Sequence, residues 1–548
     1  MNRKKMSIRE RIEQNWKSGL TVSFVSVPLS ISLAVAAGAT PLMGVITAIW
    51  AGLVASFFGG SRFNIVGPTG ALSGLLIVYG MTYGITILPF MAILSGVFIL
   101  LVFLFHWERY IIFVPSNVVH GFTLGVAFII GLGQLNFALG LENLVSHEKL
   151  IENIHETLLH IDAFQMSALI LFSVGLTFLF VWKKFYPTIP GVIVLAPVGI
   201  FLGYLSQKSM LFNIHFQTLF TKFGDISGSL WSIPKISFVI NEDVIVGALA
   251  ISLVAILETL LSAKVADGMT KTKHNVRKEV LGVGLANVAS GVFGGIPATA
   301  ALARTALNIK SGANDQMSAT INSIFVLLIS ILFLSVFTFL PLPVIGSVLV
   351  FVAIQMVEKK HYIHIYNNDK SALFVSMLVA LVTIVMDPMA GLLIGSAVAL
   401  LIFVDKTSKS EAEITINKDK KIIKRVNAAK IIKIKDHGDV IVYRFAGQLT
   451  YVNIQSHINT VEAMNGGAQF AVLSLRNLFF MDMDGVTGLK EIIDIFEAKG
   501  KKVYITAVGS LINDSLKKEK WFVILHDNER VFESTQDALI TINASIKE

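Results

Sequence analysis

Apolar stretches follow one another from about Gly19 to Phe403 with only short polar breaks, and no water-soluble fold can turn so much hydrocarbon inward. Measured against the roughly 20 residues that cross a bilayer as a helix, segments fall near residues 19–37, 42–58, 66–80, 85–105, 111–131, 164–182, 190–206, 243–262, 277–293, 298–308, 317–340, 342–358, 371–386 and 388–404. That is about fourteen. The chain of 548 residues is 54% hydrophobic and 15% charged, where soluble domains carry about 25% charged residues. A purely soluble enzyme is excluded. The absence of cysteine excludes disulfide scaffolds, Cys-ligated zinc, iron–sulfur clusters and cysteine nucleophiles.

The formal charge of +8 has two readings, a nucleic-acid surface or loops held inside the cell by Lys and Arg. Position decides between them. Thirteen Lys and Arg, among them Arg62, Arg109, Lys264 and Lys359, lie between segments on the side of the N-terminus, against Lys149, Lys208, Lys222 and Lys235 on the other side. An even number of spans puts both termini on the first side. The expectation is a multi-pass protein of the cell membrane (inner or plasma), with cytoplasmic N- and C-termini and no nucleic-acid partner.

After Val404 the composition shifts, where Asp405, Lys406, Lys409, Glu411 and Glu413 open a charged stretch. Residues 1–18 read as a cytoplasmic amphipathic segment with Ile8, Ile12 and Trp16 among basic residues, and they lack the order of a signal peptide. Residues 19–405 form the expected membrane domain, 406–428 a linker and 429–548 a cytoplasmic domain of ordinary size for one compact unit. In that last part the strand-like runs Lys430 to Lys435, Val440 to Phe445, Phe470 to Leu475 and Lys502 to Ala507 alternate with helical stretches at Asn453 to Met464 and Gly485 to Lys499. Such alternation is α/β.

Two membrane segments are too short to span, the third and the tenth, and each opens at a Gly/Pro break: Gly67-Pro68-Thr69-Gly70-Ala71 and Gly295-Ile296-Pro297-Ala298-Thr299-Ala300. Each is third in its half if fourteen segments divide into seven and seven, and because seven is odd the halves are inverted. Paired interrupted segments of this kind point to a binding site at the bilayer midplane. A helix that begins inside the membrane leaves its first amides unpaired, and those amides with the helix dipole attract an anion. Backbone donors at Thr69, Gly70 and Ala71 and at Ala298, Thr299 and Ala300, with the two Thr hydroxyls, are the candidate substrate ligands. The same hydroxyls could instead cap their own helices.

Glu258 lies inside the eighth segment, where a carboxyl is costly enough to imply a role, and Ser262 shares its helix face four residues on. The pair could hold a cation, Glu258 could carry a proton, or a protonated Glu258 could bond a neighbouring helix. Arg304, two turns into the tenth segment, either adds a fixed positive charge to the anion's approach or snorkels to the interface. Asp267 reads as a cap or gate contact and His120 as a helix contact. No His/Glu cluster suggests a metal, and no cofactor is expected beyond H+ or Na+ as coupling ion.

With these residues in view the chain resembles the SulP, or sulfate permease, family of anion transporters over nearly its whole length. Four stretches carry the resemblance: Val27-Pro28 with Ala34 to Gly38, Gly67 to Ala71, Glu258 to Ser262 followed by Val265 to Thr270, and Gly294 to Pro297 running into Ala303-Arg304-Thr305. The resemblance implies a uracil-permease-like fold of about fourteen helices in two inverted seven-helix repeats. It also implies core and gate domains, an elevator-like movement, homodimers and a C-terminal α/β STAS domain. The substrate is implied to sit between the third and tenth half-helices beside the eighth helix. In phosphorylated STAS proteins the loop before the main helix carries a hydroxyl residue, whereas here it reads Met481-Asp482-Met483-Asp484-Gly485. Asp482 and Asp484 therefore suggest a constant negative charge and a role in dimerisation or in docking a cytoplasmic partner. Family members resembling sodium–bicarbonate symporters tend to carry Asp where Glu258 stands, and those resembling proton-coupled carboxylate transporters tend to carry Glu.

The expected function is secondary active transport of a small anion, sulfate, bicarbonate or a dicarboxylate, coupled to H+ or Na+ through Glu258. The alternatives are a nucleobase-type permease of the same fold and a regulatory membrane scaffold centred on the STAS domain. An enzyme is not expected.

Overall fold

Ser7 and Glu10 cap the first helix reciprocally, each side chain accepting from the other's backbone amide, so the helix starts at Ile8 and runs to Ala36. Residues 8–18 of the expected amphipathic segment and the first span are thus joined in one helix. Buried Asn15 explains the join: its carboxamide accepts from the amides of Asn314 and Asp315 and donates to the Asp315 carboxylate, which ties this part of the helix into the protein. The computed structural model describes residues 7–545 except 114, 143, 146, 148, 188, 211–213, 225, 227, 232–235, 387, 409–410, 419–420, 428–438 and 465–466. The chain forms two compact units, Met1–Ala399 and Leu400–Glu548.

Nine helices among the described residues are long and apolar enough to cross a membrane, and Gly70–Tyr83, Val192–Gln207 and Lys370–Val385 are shorter apolar helices. The third and tenth segments are shorter as helices than their apolar runs suggest. Proline pushes the residue before it out of the α region, so the backbone at Gly67-Pro68 and Ile296-Pro297 is extended and the helices begin only at Gly70 and Leu302. They run Gly70–Tyr83 and Leu302–Lys310, 14 and 9 residues, or about 21 and 14 Å at 1.5 Å per residue. The extended lead-ins pair with each other: β1 (Val66–Gly67) lies antiparallel to β2 (Thr299–Ala300), Val66 opposite Ala300 and Gly67 opposite Thr299. The two short helices therefore leave this ladder from its opposite ends.

The second unit holds a six-stranded sheet in the order β4-β3-β5-β6-β7-β8. The strands are β3 (Glu411–Lys418), β4 (Lys421–Asn427), β5 (Val440–Leu449), β6 (Phe470–Met481), β7 (Lys502–Thr506) and β8 (Val531–Phe532). β5 to β8 run parallel, while β3 is antiparallel to both β4 and β5. The stretch expected as a linker, 406–428, thus supplies a hairpin to the sheet, because Ile414 and Ile416 bury themselves in its core. The expected strand Lys430 to Lys435 lies outside the described residues. Side chains alternate along β5: Ile441, Tyr443 and Phe445 face the core formed with helices Ile454–Glu462 and Met483–Ala498, and Val440 and Val442 face helix Thr535–Ser545.

Candidate functional site

Extended backbone inside a membrane bundle must find partners within the protein, because hydrocarbon offers none. The two breaks first satisfy each other through the β1–β2 ladder, and Ala301 N donates to Ile65 O at 2.9 Å. Buried polar side chains take much of the rest. Asn287 clamps Ala298, accepting from its amide at 2.8 Å and donating to its carbonyl at 2.9 Å. Thr47 Oγ1 accepts from Ile296 N at 2.7 Å, and Ser290 Oγ donates to Ile296 O at 2.7 Å. Thr259 Oγ1 accepts from Ala300 N at 3.2 Å, Thr305 Oγ1 accepts from Ile65 N at 3.1 Å, and Asn308 Nδ2 donates to Phe63 O at 3.0 Å.

This scaffolding changes the roles of several candidate ligands. The amides of Ala298 and Ala300 are taken by Asn287 and Thr259, and the hydroxyl of wholly buried Thr299 donates to Ala255 O at 3.0 Å and lies 2.9 Å from Thr259 Oγ1. Residues 298–300 therefore build the second break, and the helix it leads into, starting at Leu302, has no side-chain cap. At the first break the helix starting at Gly70 is also uncapped, with Gly70 and Ala71 buried at its first two positions. Thr69 does not cap it. Instead Thr69 Oγ1 donates to Glu258 Oε2 at 3.2 Å, joining the first break to the helix Glu242–Thr270.

Arg304 decides the electrostatics of the junction. It is 2% exposed, so it does not snorkel to an interface. Its Nη2 donates to Pro68 O at 2.6 Å, across from one break to the other, while Nη1 is buried with no hydrogen-bond partner among the described residues. Gly67 makes the approach possible, since a Cβ there would lie 2.9 Å from Nη1. A fixed guanidinium and two uncapped helix N-termini thus concentrate positive potential and free donors around one ladder, with Glu258 beside them.

Ser262 does not join Glu258. Its Oγ lies 3.0 Å from Asn64 Oδ1 and 3.1 Å from Thr305 Oγ1, in a buried network centred on Glu279. The Glu279 carboxylate accepts from the amides of Gly60 and Ser61 and from Asn64 Nδ2, each at 2.6 Å, and so fixes the turn that leads into β1. Asp267 accepts from Thr272 Oγ1, from His274 N and, at 2.7 Å, meets His274 Nδ1, a contact that closes the turn after its helix. His120 stacks on His361, and its carbonyl accepts from Tyr362 Oη, a helix contact as expected. In the second unit Asp482 is the N-cap of Met483–Ala498, accepting from Gly485 N at 2.8 Å and Tyr451 N at 3.1 Å, and Asp484 is exposed in the first turn. Among the described residues no group of three or more His, Asp or Glu could hold a metal ion.

Residues 13–379 match the model of the Sulfate permease family, and residues 432–538 match that of the STAS domain. The chain belongs to the sulfate permease family. This family member is 29% identical to YvdB of Bacillus subtilis (strain 168), a candidate sulfate transporter, over 94% of each chain. It is 24% identical to the bicarbonate transporter BicA of Picosynechococcus, covering 92% of this chain and 90% of the relative. The structure of the murine Slc26a9 anion transporter in its inward-facing state superposes with a TM-score of 0.85 at 16% identity, covering 98% of this chain and 93% of that one. That likeness shows the fold, a multi-pass helical transporter with a C-terminal STAS domain.

The residues that sequence reasoning missed are Thr47, Asn287 and Glu279, with Asn64, Thr259 and Thr305 as their partners. A signal existed for the first three, since each is a polar residue set in or at the edge of an apolar segment, where an unpaired polar group is expensive.

Proposed function

We propose that this chain is a secondary active transporter of a small oxyanion, sulfate or bicarbonate, held between the starts of the Gly70–Tyr83 and Leu302–Lys310 helices and driven by a proton carried on Glu258. The observation that carries the reading is the buried, half-paired Arg304 between two uncapped helix N-termini. Such a concentration of donors and positive charge is unfavourable in a membrane unless an anion occupies it. The names of the relatives point to sulfate and bicarbonate, and a dicarboxylate such as fumarate fits the same donors. A neutral nucleobase would leave Arg304 without a counter-charge, and a scaffold would have no use for it.

A proton is favoured over Na+ by the surroundings of Glu258. Hard cations take several oxygen ligands, and Ser262, the second oxygen expected for one, is committed to Asn64 and Thr305. In this reading the protein is a homodimer in the cell membrane with both termini cytoplasmic. Its STAS domain docks a partner through the turn at Asp482 and Asp484 rather than accepting a phosphate there.

The test is uptake of labelled sulfate, bicarbonate and fumarate by liposomes carrying the full chain, under separately imposed proton and sodium gradients. Oxyanion uptake driven by an inward proton gradient is expected. Uptake driven by sodium alone overturns the coupling, and failure of folded protein to take up any of the three overturns the substrate class.

A further inference from the structure

Away from the broken helices, the helices Ser116–Leu132, Met166–Phe185, Leu342–Met356, Lys359–Asn368 and Lys370–Val385 line an apolar cleft of about 1110 Å³. Two of these helices are used on two faces. Leu124, Phe128 and Gly131 on one, and Val350 and Ile354 on the other, repeat at helical spacing and line the cleft. Ile130 and Met356, on other faces of the same helices, hold the first broken helix: a Cβ at Gly70 would lie 2.7 Å from Ile130 Cδ1 and 3.0 Å from Met356 Sδ. The cleft opens sideways, since Phe128, Ile354 and Met377 on its wall are exposed.

Lys359 is the one charged residue on the lining, and it has no carboxylate partner among the described residues. Its neighbour Glu358 turns to His120, 3.6 Å from Nδ1. A second cation is held at the same end of the Leu342–Met356 helix, where Lys183 Nζ donates to Gln355 Oε1 at 2.8 Å. An apolar slot with Lys359 on its lining, and Lys183 close by at the same helix end, has the charge pattern of a lipid, chain in the slot and phosphate at the mouth. Water has too few polar partners in it, and basic pockets between membrane helices on the cytoplasmic side attract anionic headgroups.

We propose that this cleft binds an anionic phospholipid, an acyl chain lying between Phe128 and Ile354 and the phosphate facing Lys359, with Lys183 as the second cation. Because the same helices grip the first broken helix, the bound lipid braces the transport site from behind. The lipid site does not depend on which anion or ion is transported.

The full chain, purified in mild detergent and exchanged into an equimolar mixture of phosphatidylglycerol and phosphatidylcholine, is examined for retained lipid by native mass spectrometry. Wild type is expected to retain phosphatidylglycerol in preference. Lys359→Gln is expected to lower the retained ratio about fivefold, the effect of one cation near an anionic headgroup. Leu176→Trp, which fills the cleft wall, is expected to retain neither lipid. Equal retention of the two lipids by wild type, or a ratio unchanged in Lys359→Gln, overturns the proposal. If Leu176→Trp does not fold, the Lys359→Gln ratio alone decides.

Discussion

Arg304 reaches from the second helix break to the first, donating to Pro68 O at 2.6 Å while its other terminal nitrogen stays buried and unpaired among the described residues. The two breaks are thereby joined by a charge as well as by the β1–β2 ladder, and the unpaired nitrogen is the donor that the proposed anion would meet.

Replacing Arg304 with Gln removes the charge and keeps a short donor. A hydrogen bond to a charged group contributes about 1.5–3 kcal/mol, so uptake by Arg304→Gln is expected to fall by at least tenfold. Arg304→Lys keeps the charge without the planar fork and is expected to be intermediate. Initial uptake rates in liposomes at matched protein density check both.

Thr69 is expected to matter through Glu258 rather than as a cap. Thr69→Ser keeps the hydroxyl that donates to Glu258 Oε2 and is expected to transport normally. Thr69→Val removes it and is expected to lower proton-driven uptake severalfold, a neutral hydrogen bond contributing about 1 kcal/mol. Equal rates in the two variants would contradict this role.

Asn287 carries stability. Its removal in Asn287→Ala leaves both backbone groups of buried Ala298 without partners, at about 1–3 kcal/mol each. A melting midpoint lower by several degrees is expected for the purified protein. An unchanged midpoint would mean that the break is held mainly by the ladder.

The fold class and the two helix breaks were legible: runs of apolar residues demand a bilayer, and at Gly67-Pro68 and Gly295-Ile296-Pro297 a proline is joined to a glycine ahead of it, whereas Pro28 and Pro197, with no glycine just before them, stay inside helices. The fate of individual groups was not. Whether the amide of Ala298 faces substrate or Asn287, and whether Ser262 meets Glu258 or Asn64, depends on partners hundreds of residues away in sequence. Glu279 lies in the first turn of its helix beside Arg277 and Lys278, an ordinary place for a carboxylate, and so carries a weaker signal than Glu258 in the middle of its helix. The hairpin β3–β4 has the composition of a linker, because its charged residues outweigh Ile414 and Ile416.

The STAS domain carries a pH dependence of its own. His457, 1% exposed, meets Tyr443 Oη at 2.8 Å through Nδ1, and burial pushes its pKa down to about 4. The unfolded chain binds the proton more readily, so His457 contributes full stability above about pH 6.5, and this is lost as pH falls toward 4, up to roughly 3 kcal/mol. Amide exchange in β5 and helix Ile454–Glu462 of the full chain, corrected for intrinsic rates, is expected to quicken from pH 7 to 4.5. His457→Gln, which does not titrate, is expected to flatten that trend.

Coupling through Glu258 is tested most directly by comparing wild type with Glu258→Gln in liposomes loaded with the same anion, with and without an inward proton gradient. Wild type is predicted to accumulate labelled anion above equilibrium only with the gradient. Glu258→Gln is predicted to exchange anion down its own gradient but not to accumulate it. Accumulation by Glu258→Gln equal to that of wild type would contradict the assignment of the coupling proton to this carboxyl.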